Sequence, residues 1–273
     1  LEIDREDMDY QVGGYATNFT VPAVRDGVAL IPSHGVIFET DLESFQITGK
    51  LTSPLFNDLH HVAWHGDRLL AVSTGLDRVI ELDCDGTVHG IYPVLPDLPP
   101  LEPGRDYRLS HTKPHASHPN YVFAVGDELW VTRARQFDCA PLNDLSRPLP
   151  LSDVMVHDGV YFDGHYYFTS VRGQVLITDP PRRQIVQEFN LIQKRWHLLT
   201  GWCRGIHVTE DYCYVGFSVF RRTKQLENIQ WLKAKLTGTN PPLPTRIEKI
   251  DRLTGALVDQ FIFEPEELTA IFW

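Results

Sequence analysis

VMVHDGVYFDGHYYFTSVRGQVLITD, residues 154–179, is three short apolar runs separated by turn residues. The first run ends at Asp163-Gly164, the second at Ser170-Val171-Arg172-Gly173, and the third closes on Asp179. Runs of about five residues rich in Val, Tyr and Phe suit a pleated, half-buried surface and are too short for helices. Asp-Gly between two such runs is a hairpin signal, because both residues tolerate the positive φ of a tight turn.

The same pattern recurs along the chain. A turn precedes an apolar strand at Asp26-Gly27, Gly66-Asp67, Gly126-Asp127, Asp163-Gly164 and Glu210-Asp211. A strand then ends in aspartate at Asp41, Asp83, Asp179 and Asp251, which read as turn-forming residues. Four antiparallel strands in about 40 to 50 residues is the size of a propeller blade. The reading is an all-β, single-domain β-propeller over 1–273 with five four-stranded blades at about 18–53, 58–95, 118–151, 153–191 and 202–263. A β-sandwich is the competing architecture. Blade three is the weakest copy, since its later part, FDCAPLNDLSRPLPL, carries prolines that suit an irregular outer edge.

Two insertions break the period. Residues 93–117 hold six prolines and predict a stiff surface excursion. Residues 219–244 contain TKQLENIQWLKAKL, whose apolar spacing predicts one short helix stopped by Gly238 and Pro241-Pro242. Either residues 8–16 or the C-terminal LTAIFW could complete a ring.

Composition narrows the function. A formal net charge of −11 argues against a nucleic-acid partner, whose phosphates need a basic surface. No apolar run of membrane-spanning length occurs, so no membrane partner is expected. The chain opens Leu1-Glu2-Ile3-Asp4 without a signal-peptide pattern, and Cys84, Cys139, Cys203 and Cys213 are too sparse for a disulfide framework. A cytoplasmic protein with reduced thiols is the expectation. No P-loop, G-x-G-x-x-G or G-x-S-x-G occurs, so no nucleotide cofactor and no acyl-enzyme chemistry are expected. Nothing in the sequence assigns an oligomeric state.

In a propeller, the links entering first strands and those joining second to third strands share one face. The entry links carry His60-His61, His115, His118, His157-Asp158, Cys203-Arg204 and His207. The other links carry Ser33-His34, Arg78, Arg133, Arg135, Arg172 and Arg221-Arg222. Guanidinium groups gathered on one face would draw and grip an anion, so Arg78, Arg133, Arg135, Arg172, Arg204 and Arg221 are candidate contacts for a small anionic or polar ligand. The alternative is that several of them pair with neighbouring aspartates and join the blades. His60, His118, His157 and His207 are candidate ligands of a divalent transition metal, Zn²⁺, Fe²⁺ or Mn²⁺. Without a metal, His60 and the His157-Asp158 pair are candidate acid–base groups. Counted back from their turns, His60, His157 and His118 fall out of phase, and strand neighbours face opposite ways. Their convergence therefore requires links of differing shape.

Gly201–Lys224, GWCRGIHVTEDYCYVGFSVFRRTK, resembles a segment of a little-characterised bacterial β-propeller family. The blade pattern is also similar to that of NHL and lactonase-type propellers, although the calcium-ligand pattern of a lactonase is absent. The resemblance implies the fold; propellers host lyases, hydrolases, lectins and scaffolds alike. The functional expectation is an enzyme acting on a small polar or anionic substrate in a His- and Arg-rich pocket. Its alternatives are a non-catalytic small-molecule or glycan binder, and an interaction scaffold with Trp196, Trp202 and Trp231 as anchors.

Overall fold

The computed structural model describes residues 19–191, 201–218 and 243–263. Nearly all of the expected helical insertion, with Arg221 and Arg222, lies outside the described residues, as do Trp196, Trp231 and both candidate ring-closing segments. Five separate four-stranded antiparallel sheets follow one another, each in simple sequential order. They are β1 (Ala23–Arg25), β2 (Val28–Pro32), β3 (Val36–Asp41) and β4 (Ile47–Thr52) in blade one, and β5 (Leu59–His65), β6 (Arg68–Ser73), β7 (Arg78–Leu82) and β8 (Val88–Pro93) in blade two. Blade three holds β9 (Pro119–Val125), β10 (Glu128–Arg133), β11 (Asp138–Pro141) and β12 (Leu149–Pro150). Blade four holds β13 (Val156–Phe162), β14 (His165–Ser170), β15 (Gln174–Asp179) and β16 (Gln184–Asn190). Blade five holds β17 (Trp202–Val208), β18 (Tyr212–Ser218), β19 (Arg246–Asp251) and β20 (Leu257–Ile262). These are the blades of a five-bladed β-propeller. The chain divides into two compact units, Leu1–Pro150 with three blades and Leu151–Trp273 with two.

Hairpin chemistry is as the sequence dictates. Asp26-Gly27 and Asp163-Gly164 both adopt positive φ (51° and 78°; 50° and 79°), as the tightest two-residue hairpins require. The strand-ending aspartates close the next turn: Asp41 accepts from the Ser44 amide at 2.7 Å, and Asp251 from the Thr254 amide at 2.8 Å. The core lies between neighbouring sheets. In β6, Leu69 and Ala71 pack with blade one residues such as Leu30 and Ile37, while Leu70 and Val72 pack with Val122 and Val131 of blade three. A strand buried on both faces this way needs an apolar residue at every position, which RLLAVS nearly supplies. In the second unit, Val175 and Ile177 meet Cys203, Ile206, Val215 and Phe217 in the same manner.

One irregularity repeats. The inner strands β5, β9, β13 and β17 each carry one extra residue relative to their partners: at His60, in Asn120-Tyr121, in His157-Asp158 and at Gly205. A bulge of this kind bends the strand and re-aims the side chains beside it. Buried hydroxyls on the partner strand serve two of these bulges. Thr132 Oγ1 accepts from the Tyr121 amide at 3.0 Å, and Thr169 Oγ1 from the Asp158 amide at 3.4 Å. The links of differing shape that histidine convergence needs are therefore built into the inner strands.

Candidate functional site

The bulge at His60 and the 93–117 excursion bring a cluster of ionisable side chains together in the first unit. At its centre is Asp58, just ahead of β5 and held at a positive φ of 51°. Its Oδ2 is 3.5 Å from Lys113 Nζ and 3.7 Å from His115 Nε2, and its Oδ1 is 3.8 Å from His60 Nε2. These are charge contacts, each longer than a good hydrogen bond. Burial would raise the Asp58 carboxyl, but His60, Lys113 and His115 outweigh it and hold the group far below the usual carboxylate range. Asp58 Oδ2 is nevertheless buried without a hydrogen-bond partner, and so is Nε2 of His34. The two residues are neighbours, because the Leu59 amide donates to the His34 carbonyl at 3.2 Å.

The ring protons of the cluster follow from its hydrogen bonds. Asn57 Nδ2 donates to the carbonyls of Tyr107 and Ser110, so Asn57 Oδ1 is an acceptor and receives the Thr112 hydroxyl at 3.1 Å. A hydroxyl has one proton, so Thr112 Oγ1 accepts from His115 Nε2 at 3.4 Å. His115 is buried, and burial, against the raising effect of Asp58 and Asp77, brings its pKa down to about 4. The ring is therefore neutral near pH 7, and its Nδ1 carries a lone pair. That lone pair accepts from His118 Nδ1 at 2.9 Å, so in the neutral form of His118 the lone pair is on Nε2. His118 in turn lies edge-on to His60 with ring centroids 4.9 Å apart, and His60 Nδ1 meets Asn120 Oδ1 at 2.7 Å.

The loop that presents these rings is held by one carboxylate. Asp77 accepts from three successive amides, Ala116 (2.7 Å), Ser117 (3.0 Å) and His118 (2.7 Å). Both Asp77 and His118 have positive φ, 52° and 59°, a conformation that non-glycine residues keep only when their surroundings fix it.

The other expected site residues are placed differently. His157 Nδ1 donates to Asp158 Oδ1 at 2.7 Å, and the Gly205 amide donates to Asp158 Oδ2 at 2.6 Å. Asp158 is fully enclosed; burial would raise its carboxyl, but His157, the Gly205 amide and Arg204 hold it below the usual range. This is a closed pair in the second unit. His207 is exposed on β17, with Tyr214 as its ring neighbour at 6.3 Å. Arg133 makes a two-pronged, buried pair with Asp138, both contacts at 2.7 Å. Arg78 is also buried and donates to the carbonyls of Leu76 and Pro99. Those two arginines join structure within the first unit, Arg133 also donating to the Val94 carbonyl at 3.3 Å. Arg135 and Arg172 are exposed, and Arg204 sits half-buried with its guanidinium 5.9 Å from the Trp202 ring. Trp202 is itself half-buried rather than a projecting anchor.

His115 and His118 share a proton through the nitrogens that face each other, and among the described residues no group of three or more His, Cys, Asp or Glu side chains is placed to hold a metal ion. No helix among the described residues is long and apolar enough to cross a membrane. The sequence lists named His34, His60, His115 and His118 but did not centre them on Asp58, and they omitted Asn57, Thr112, Lys113 and Asn120.

No family model and no curated protein matches the chain. Its likeness is to solved β-propellers. A protein of unknown function from Bacteroides caccae aligns with a TM-score of 0.60 at 11% identity, over 93% of this chain and 85% of its own. Virginiamycin B lyase from Staphylococcus aureus, solved as a catalytically inactive histidine-to-alanine variant with quinupristin, aligns with a TM-score of 0.55 at 14% identity, over 92% and 72%. The WD40 propeller domain of Doa1 aligns with a TM-score of 0.55 at 8% identity, over 90% and 69%. At these identities the likeness establishes the fold, a β-propeller, and nothing finer.

Proposed function

We propose that the protein binds a small polar molecule at the Asp58 cluster of its first unit and performs acid–base chemistry on it. The observation that carries the reading is a proton-ordered chain, Asn57–Thr112–His115–His118, beside a half-buried carboxylate with one enclosed oxygen that lacks a hydrogen bond. A neutral His115 orients His118 as the third group of a triad orients its base, so His118 Nε2 is the proton acceptor. His60, fixed through Nδ1 by Asn120, presents Nε2 to Asp58 and is the complementary acid. Lys113 supplies positive charge to a developing anion. That virginiamycin B lyase loses activity when a histidine is replaced supports imidazole chemistry on this fold, as analogy.

The test is a thermal-shift screen of small polar metabolites against the wild type, His118→Gln and His60→Gln. A ligand of this site stabilises the wild type and loses most of that effect in both variants. Hits that stabilise all three proteins equally would sink the reading. Elemental analysis of protein purified without chelators serves as the control for a metal-dependent version.

A further inference from the structure

The hydrogen-bonding character of the cluster specifies its ligand more narrowly, on the reading that the cluster binds one. Two enclosed atoms of neighbouring residues in the cluster lack a hydrogen bond, Asp58 Oδ2 and His34 Nε2. Leaving such atoms unpaired is costly, so they mark where a bound group completes the structure. The carboxylate oxygen can only accept. His34 bonds the Arg108 carbonyl, which requires a proton on the bonded nitrogen, and the other nitrogen, Nε2, then holds the lone pair of a neutral ring. Burial favours that neutral form. The donors facing these acceptors are Lys113 Nζ, 3.5 Å from Asp58 Oδ2, and His60 Nε2 in its acid form, 3.8 Å from Asp58 Oδ1.

An anion would be set against the Asp58 carboxylate oxygen and the His34 lone pair, and an amine would place a further cation beside Lys113. A neutral molecule with several hydroxyl groups meets both demands, because each hydroxyl donates to a lone pair and can accept from the lysine. We infer that the ligand is a neutral polyhydroxylated molecule, a monosaccharide or cyclitol, whose hydroxyls donate to Asp58 and His34.

Calorimetric titration near neutral pH tests this with three probe classes: D-glucose, D-galactose, D-mannose and myo-inositol; inorganic phosphate; and ethanolamine. At least one hydroxyl probe binds the wild type, Asp58→Asn weakens it more than tenfold, and His34→Ala weakens it severalfold. Circular dichroism and melting of each variant separate lost binding from lost fold, and Lys113→Met gives a second, exposed-side check. Binding of phosphate or ethanolamine that depends on Asp58, with no hydroxyl probe binding, overturns the inference but leaves the polar-ligand reading standing. Silence from every probe overturns the inference; the metabolite screen with His118→Gln then decides the broader reading by itself.

Discussion

Asp58 and Asp158 each stand beside a histidine near the start of an inner strand, one in each compact unit, and they differ in what their oxygens meet. Asp158 has a ring nitrogen on one oxygen and the Gly205 amide on the other, both inside 2.8 Å. Asp58 has three nitrogens around it, none nearer than 3.5 Å, and one buried oxygen without a hydrogen bond. The same two residue types thus make a sealed structural joint in one place and an incomplete polar centre in the other. Completeness of hydrogen bonding, rather than residue identity, separates the roles.

If that contrast is right, removing the sealed carboxylate does the most damage to stability. Asp158→Ala leaves His157 and the Gly205 amide without their buried partner and lowers the unfolding free energy by about 3–5 kcal/mol in urea titration. A loss under about 1 kcal/mol would mean the pair is not structural.

Acid comes next. His115 keeps a folded pKa of about 4, below its ordinary value, so between roughly pH 6.5 and pH 4 the unfolded chain binds a proton that the folded chain refuses. Stability therefore falls as pH falls through that window, by up to about 1.4 kcal/mol per pH unit for each such histidine. His34 is shifted in the same direction and adds to the slope. Asp158 is lowered instead, so its share is lost only below the ordinary carboxylate pKa, and the two regions separate along the pH axis. Denaturant midpoints measured across this range should show a slope that His115→Gln flattens. An unchanged slope would remove the neutral ring from the cluster.

Smaller effects sharpen the same point. Asp251→Ala loses turn hydrogen bonds at the surface and costs about 1 kcal/mol or less, read by thermal melting. Asp58→Asn removes the charge that His60, Lys113 and His115 stabilise but no close hydrogen bond, so it destabilises the fold less than Asp158→Ala does, and its further consequence appears in ligand affinity. A large destabilisation by Asp58→Asn would make the two aspartates alike and erase the distinction.

The repeat was legible because its signals are local: Asp163-Gly164 and Asp26-Gly27 need only their neighbours to form hairpins. The cluster was legible only in part. His34, His60, His115 and His118 announced themselves as residue types, but their meeting depends on a bulge at His60 and on Asp77 gripping the amides of 116–118 from a different blade. Neither has a sequence signature of its own. The arginines misled in the opposite way, because positive charge is visible in a sequence and its partner is not. Arg133 is a case where the signal existed: Asp138 lies directly across the β10–β11 hairpin from it, the position where opposite charges pair. Lys113 and Thr112 arrived on the proline-rich excursion, which the sequence marked as an interruption without showing where it lands.

The proton positions within the cluster remain the point on which the functional reading turns, and a long-range proton–nitrogen correlation spectrum of histidine-labelled protein near neutral pH reads them. It should show His115 neutral with its proton on Nε2 and His118 neutral with its proton on Nδ1. A His118 protonated on Nε2, or a His115 that is charged at that pH, would contradict the ordered chain and leave the cluster without its base.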